Sequence, residues 1–457
     1  MTEELFLKLK SHLFPGDDLE AAAIAICGRG IVSDSIQLLV HELILIPYED
    51  CSIRRSDLVR WPTDRLIPLL QRAEKNNLSI LKIHCHPTGY DKFSETDDKS
   101  DLELFSSIYG WVNDSGPHAS AVMLPDGSMF ARIILEDLSF KPVDKITSVG
   151  DDILFLNKKT ENQSISPYSI RTSQAFGEKT TLLLNQLKIG IVGCSGTGSL
   201  VIEQLHRLKV GELLLIDPDK IEDVNLNRIP YSTARDAKLG KYKVDLFKEV
   251  IESCELGCKI EVVPKNIYDD NEIISLLSSC DVIFGCMDSI DGRHFMNRVA
   301  TFYLLPYFDI GVKLISDRKG GIEKILAAVH YIQPGKSSLM SRNVYTSEEL
   351  RSATLKRTNP EFFSEQLKSK YITDVHVQSP AVISVNMQAA SLAINDFLAR
   401  IHPYRYSRNK LYASTVFDIT DWSISHEQEA EFDKLLKKYV GRGNMPHPLD
   451  ITQIQTI

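Results

Sequence analysis

Residues 187–208, LKIGIVGCSGTGSLVIEQLHRL, decide the fold of the larger part of this chain. A short apolar run gives way to Gly193, Gly196 and Gly198, and then to apolar residues at helical spacing. The pattern reads as strand, tight turn, helix. Glycines in such a turn let the backbone approach a phosphate at the helix N-terminus, where unpaired N–H groups and the helix dipole favour anions. The next strand-like stretch, GELLLIDPDKIE (211–222), ends in Asp217, nineteen residues past Gly198. A carboxylate there can hydrogen-bond ribose hydroxyls. Up to this point a dehydrogenase fits equally well.

The next residues do not suit a dehydrogenase. VNLNRIP (224–230) gathers Asn225, Asn227 and Arg228, and Lys243 opens a helical stretch in LGKYKVD. Two cations and two amides near a glycine turn suit a triphosphate under attack better than a nicotinamide. CDVIFGCMDSIDGRHFMNR (280–298) reads as a strand ending at Asp288, whose carboxylate at the strand's C-terminal end can hold Mg²⁺. This constellation resembles the ubiquitin-activating, ThiF-like adenylyltransferase family over about residues 165–400. The resemblance implies a Rossmann-like adenylation domain with a mostly parallel sheet, using ATP and Mg²⁺. It makes Gly193, Gly196 and Gly198 the phosphate turn and Asp217 the ribose acid. Asn225, Arg228 and Lys243 become phosphate-site residues, and Asp288 the Mg²⁺ ligand. YSIRTSQAFG (168–177) resembles the family's segment that carries an arginine finger into a partner subunit, which singles out Arg171 and implies a homodimer. The implied reaction is attack of a protein's C-terminal carboxylate on the α-phosphorus of ATP, giving an acyl-adenylate and pyrophosphate. Arg171, Arg228, Lys243 and Mg²⁺ would stabilise the developing charge.

The N-terminal zone carries different chemistry. LSILKIHCHP (78–87) reads as a buried strand entering a loop, with His84 and His86 on one face and Cys85 on the other. Asp97, eleven residues past His86, can fold back as a third ligand. A His-His-Asp set leaves a fourth tetrahedral position open, the arrangement of a catalytic zinc. Ser94 could donate to an oxyanion, and a glutamate from another strand could take a proton. The string His84-x-His86-x7-Ser94-x2-Asp97 resembles the JAMM motif of JAB/MPN metalloproteases over roughly residues 1–140. Those enzymes cleave peptide or isopeptide bonds beside ubiquitin-like modifiers. The resemblance implies an α/β domain, Zn²⁺, and a glutamate base, for which Glu20 is the best match and Glu42 the second.

The chain departs from the activating enzymes in one respect. Many of them capture the acyl group on a cysteine beyond the Mg²⁺ site, and no cysteine occurs after Cys286 here. Direct transfer of the adenylate to a partner therefore ranks first, and an oxyester on Ser338 or Ser341 second, because a hydroxyl is a poor nucleophile without a base. Cys194, inside the turn, is read as backbone geometry or packing, and Cys254 and Cys258 as structural.

Composition bounds the rest. The 457 residues carry 52 Lys+Arg against 61 Asp+Glu, a net charge of −9, which argues against a nucleic-acid-binding surface. No run reaches about 18 apolar residues, so no membrane span is expected. Eight scattered cysteines fit a reducing cytoplasm. The expected architecture is α/β throughout: a JAB/MPN-like domain at 1–145, a linker and dimer-contact segment at 146–180, the adenylation domain at 181–415, and a C-terminal helix and tail at 416–457. The expected function is activation of a ubiquitin-like protein by an enzyme fused to a peptidase for the same modifier, with a conjugating enzyme as a further partner. The alternatives are an activator of a sulfur-carrier protein and a silent scaffold.

Overall fold

The computed structural model describes residues 1–32, 35–112, 116–157, 165–317, 321–368, 382–445 and 447–448. Two compact units divide the chain. Among the described residues, the first comprises 1–157 with Phe302–Leu304 and 439–448; the second takes in 165–301 and 305–438.

The first unit opens with α1 (Glu3–Leu13), whose N-terminus is capped by the Thr2 hydroxyl. Next come β1 (Ala22–Val32), β2 (Ser35–Leu45), the small hairpin β3 (Ile53–Arg55) and β4 (Leu58–Arg60), α2 (Ile67–Asn76), β5 (Ser79–Cys85) and α3 (Glu95–Trp111). Strands β6 (His118–Met123), β7 (Met129–Ile134) and β8 (Phe140–Pro142), then β9 (Thr147–Val149) and β10 (Ile153–Phe155), complete it. Six strands form a mixed sheet in the order β2-β1-β5-β6-β7-β8. Strand β5, SILKIHC, is buried along its whole length, its polar residues Ser79, Lys82 and His84 included. One face of the sheet packs Ile83, Cys85, Ala23 and Ala25 against Phe6, Leu9 and Leu13 of α1. The other packs Ile24, Ile26 and Ile80 against Leu69, Leu70, Phe105 and Ile108 of α2 and α3.

The second unit begins with α4 (Ile170–Leu184) and alternates β11 (Lys188–Val192), α5 (Gly196–Arg207), β12 (Glu212–Ile216), α6 (Ala234–Leu239), α7 (Lys243–Ser253), β13 (Lys259–Val263), α8 (Asn271–Ser278), β14 (Val282–Gly285), α9 (Ile290–Tyr303) and β15 (Tyr307–Ser316). Beyond it lie β16 (Ile322–Ile332), α10 (Ser347–Thr358), α11 (Pro360–Lys368), α12 (Ile383–Ile401), β17 (Ser414–Asp418) and β18 (Ser423–Glu427). The eight-stranded order is β13-β12-β11-β14-β15-β16-β17-β18. Pairs from β13 to β15 are parallel, and β15 to β18 pair antiparallel. The chain moves from β11 outward through β12 to β13, then returns to place β14 on the other side of β11. That reversal opens a crevice at the C-terminal ends of β11 and β14.

Two expectations need correction. The segment 146–180 is not one linker: its start forms the β9–β10 hairpin, with the Val149 N–H donating to the Met1 carbonyl, and its end lies in α4. Residues 158–164 of that segment lie outside the described residues. The C-terminal helix expected within 416–457 is not formed among the described residues, and the charged stretch 426–440 contains no α-helix. That stretch starts in the edge strand β18, and its one regular turn is Lys437–Tyr439. Tertiary partners override its helical composition: Glu429 accepts from Ser337 and Arg342, while Asp433 takes the Ser338 hydroxyl and the N–H groups of Leu435 and Leu436. Among the described residues no helix is long and apolar enough to cross a membrane.

Candidate functional site

In the second unit the candidate residues Asp217, Lys243 and Arg228 lie beside the glycine turn at the crevice. Gly193 comes directly after β11 with φ +91°, a conformation that favours glycine. A Cβ at Gly198 would lie 1.8 Å from the Gly193 carbonyl oxygen, so no side chain fits there without moving backbone. A Cβ at Gly196 would meet the Asn386 amide at 2.4 Å and Arg228 Cδ at 3.2 Å, which places Arg228 over the start of α5. Asp217, one residue past β12, is buried. Its Oδ2 accepts from the Cys194 N–H at 2.6 Å and its Oδ1 from the Asp219 N–H at 2.8 Å. Burial raises the Asp217 pKa, partly opposed by the Lys243 ammonium. Lys243, buried at the start of α7, donates to Asp219 at 2.7 Å and lies 3.9 Å from Asp217.

Asn225 is buried, and its side-chain oxygen accepts from the Glu222 N–H at 3.0 Å, holding the loop that presents Arg228. Arg228 bonds the Val224 carbonyl at 2.6 Å and Asn227 at 3.2 Å. Strand β14 stops at Gly285 rather than at Asp288. The loop beyond it leaves Asp288 exposed between β14 and α9. Arg171 is exposed near the start of α4, bonded to Gln174 at 3.5 Å. Cys194 is fully buried with its thiol pKa pushed well up by burial, which leaves it a poor nucleophile. All eight cysteines are free thiols. Ser338 is buried, donates to Asp433 at 2.6 Å and accepts from the Ser341 N–H at 3.1 Å. The Ser341 hydroxyl in turn takes the Ser338 N–H at 2.9 Å. Both hydroxyls serve this turn, which argues against either as an acyl acceptor.

The first unit brings its own four residues together. His84 Nε2 lies 3.1 Å from His86 Nε2 and 3.0 Å from Asp97 Oδ1, and His86 Nε2 lies 3.4 Å from Asp97 Oδ2. Donors about 2.0–2.1 Å from a tetrahedral zinc stand about 3.3 Å apart, so these separations fit one ion. His86 Nδ1 meets the Tyr90 carbonyl at 2.7 Å, so it carries a proton there, and Nε2 is the nitrogen turned toward His84 and Asp97. Glu20, just before β1, has a carboxylate oxygen within 4.8 Å of donor atoms on both histidines.

Burial opposes ionisation of Asp97, but hydrogen bonds from His84 and His86 outweigh it and hold its carboxyl well below the usual range. Burial raises the Glu20 pKa to about 7. Glu42 pairs instead with Arg72 on an exposed face, outside the cluster. Ser94 is the N-cap of α3: its hydroxyl donates to Asp97 Oδ2 at 2.7 Å and accepts the Asp97 N–H at 3.1 Å. Glu20, Lys82, His84 and Asp97 line a cleft of about 760 Å³, walled by β4, α2 and α3 and apolar at Trp61, Leu66 and Ile108.

Sequence reasoning missed several contributors. Asp219, which holds Lys243, was signalled only by the second acid of Asp-Pro-Asp. Asn386, on α12, carries no local signal. Lys82, Asp101 and Arg132 come from three separate segments.

Residues 168–416 match the ThiF family. Among curated proteins the chain is similar to ubiquitin-like modifier-activating enzyme 5 of Drosophila willistoni, 25% identical over 187 residues, 38% of this chain and 43% of that protein. It is also similar to tRNA threonylcarbamoyladenosine dehydratase of Haemophilus influenzae, 32% identical over 108 residues, 23% of this chain and 40% of that protein. The chain spans about half the length of the curated relatives it matches. Among solved structures it is similar to E. coli MccB with MccA-N7isoASN, with TM-score 0.46 and 20% identity, covering 59% of this chain and 74% of that one. The family match takes in more than half of the residues, from α4 through the glycine turn and the acidic crevice to β17, and the chain belongs to the ThiF family.

Proposed function

We propose that this protein adenylates the C-terminal carboxylate of a ubiquitin-like protein with ATP, and that its first unit is a JAB/MPN-type zinc peptidase acting on the same modifier. The observation that carries the first half is the convergence of Asp217, Lys243 and the glycine turn at the strand ends of a ThiF-family sheet. Asp217 would take the ribose hydroxyls. The amide groups opening α5, with Arg228 and Lys243, would hold the phosphates. Lys243 would exchange its bond to Asp219 for a phosphate oxygen. The carboxylate of the modifier forms a bond to the α-phosphorus as the bond to pyrophosphate breaks, and no proton is transferred. Mg²⁺ would be held by Asp288 and would supply counter-charge to the phosphates. Arg171, exposed on α4, would complete the site of a second copy in a homodimer.

In the first unit His84, His86 and Asp97 would hold zinc, which supplies Lewis acidity toward a peptide carbonyl. Glu20, with a pKa near neutrality, would accept the proton of the attacking water and pass it to the leaving amine. The Ser94 hydroxyl would have to turn from Asp97 to serve an oxyanion, so its first duty is to cap α3.

A second reading, activation of a sulfur-carrier protein, is favoured by the absence of cysteine beyond Cys286 and by the engaged hydroxyls of Ser338 and Ser341. Direct transfer to a sulfur donor needs no internal thiol. ATP–pyrophosphate exchange with small ubiquitin-fold proteins tests the proposal. Asp288→Ala should abolish exchange, whereas His86→Ala should keep it and stop tail cleavage. Loss of both activities in His86→Ala would show the two sites to be one. A thiocarboxylate on the carrier, seen by mass spectrometry, would select the second reading.

A further inference from the structure

One buried cluster near the metal residues takes no part in zinc binding or proton transfer. Lys82 stands two residues before His84 on the same face of β5. Its ammonium, with the side chain 8% exposed, donates to Asp101 Oδ1 at 2.7 Å and to the Ser100 hydroxyl at 3.1 Å. The other oxygen of Asp101 accepts from Arg132 of β7, Nη2 at 2.7 Å and Nε at 3.1 Å. Arg132 also reaches Asp98, and its guanidinium lies 3.9 Å from the centres of both the Phe93 and the Phe140 rings. Asp101 is fully buried and sits one helical turn beyond Asp97 on α3. One carboxylate thus ties the first turns of α3 to two strands at once, and the strand bearing Lys82 is the one bearing His84.

A buried ion pair adds little stability over apolar residues of the same volume. What it does impose is register, because both oxygens of Asp101 have a fixed donor. The metal residues need that register. His84 and His86 come from the end of β5, Asp97 from α3, and a zinc ligand set tolerates displacements of only about 0.5 Å.

We propose that Lys82 is a positioning residue for the metal site: through Asp101 it holds α3 so that Asp97 stays within reach of His84 and His86. The proposal rests on the reading of these residues as zinc ligands. It assigns Lys82 no contact with substrate and no step in the reaction.

The test measures Zn²⁺ affinity of the full-length protein by competition with a chromophoric chelator, with Co²⁺ absorption as the coordination signature. Lys82→Met keeps the Asp101–Arg132 pair, so the chain is expected to fold. It should bind Zn²⁺ about 10- to 100-fold more weakly, the usual effect of losing an outer partner of a metal site. Its Co²⁺ spectrum should lose tetrahedral intensity, while the metal-free chain, less stable for the lost partner of Asp101, still unfolds cooperatively. Lys82→Arg should restore most of the affinity. Wild-type affinity in Lys82→Met would overturn the proposal. So would weakened binding that Lys82→Arg fails to restore and that tracks a fall in the metal-free melting temperature. Absence of Zn²⁺ binding by the unsubstituted protein would instead remove the zinc reading itself, and the proposal with it.

Discussion

Gly198→Ala gives the sharpest test of the nucleotide crevice, because two physical arguments predict opposite signs. Gly198 is the third residue of α5, and helix propensity alone makes alanine more stable than glycine there by about 1 kcal/mol. The structure says otherwise. The new Cβ would stand 1.8 Å from the Gly193 carbonyl oxygen and 3.2 Å from Cys286 Cβ. Relief needs a displacement on the order of 1 Å or more, and the first of these neighbours is backbone, so no rotamer change absorbs it. Overpacking of this kind costs about 1–3 kcal/mol, which outweighs the propensity gain. The same displacement moves the amide groups that would face the phosphates, and a misplacement of about 1 Å costs roughly 100-fold in a reacting geometry. Gly196→Ala is the control: its nearest neighbour is the terminal amide of Asn386, which can rotate away. Thermal unfolding and equilibrium ATP binding on the two variants read both effects. Gly198→Ala should melt lower and lose nucleotide affinity, and Gly196→Ala should melt close to the original protein. A Gly198→Ala variant that melts higher and binds ATP normally would refute the close-packed turn.

Burial and charge set two further outcomes. Glu20→Gln should leave Zn²⁺ binding through His84, His86 and Asp97 intact and reduce tail cleavage by about 100-fold or more, since an amide accepts no proton; unchanged cleavage would remove Glu20 as the base. His294, 8% exposed and 3.1 Å from the Tyr345 hydroxyl, has its pKa lowered by burial to about 4. The unfolded chain takes up this proton near pH 6.5 and the folded chain only near 4, so the stability it confers is complete above pH 6.5 and is lost as the pH falls toward 4. The loss reaches about 3 kcal/mol. His294→Phe should flatten the fall in melting temperature across that window, and an unchanged acid profile would count against the assignment.

Much of this protein is written locally in the chain. The turn at Gly193–Gly198 was legible because an apolar strand, glycines and helical spacing are all short-range signals. His84, His86, Ser94 and Asp97 were legible for a similar reason: a strand end and a helix cap lie within fourteen residues, and chain geometry brings such neighbours together. The stretch 426–440 misled because its charges suggest a solvated helix, whereas Glu429 and Asp433 are spent on distant partners in the same unit. Serines 338 and 341 misled in the opposite sense. They read as available hydroxyls, and the fold uses both to close a turn.

Composition, spacing and local periodicity determined the α/β class of the second unit, the ThiF family and which residues to look for at each candidate site, because those properties depend on neighbours along the chain. Tertiary structure agrees with the ranking of Glu20 over Glu42, and it alone decided that Asp219 holds Lys243 and that Asp101 ties α3 to Lys82 and Arg132. Each of these depends on which elements pack side by side, and on desolvation that forces a buried charge to find a partner far away in sequence.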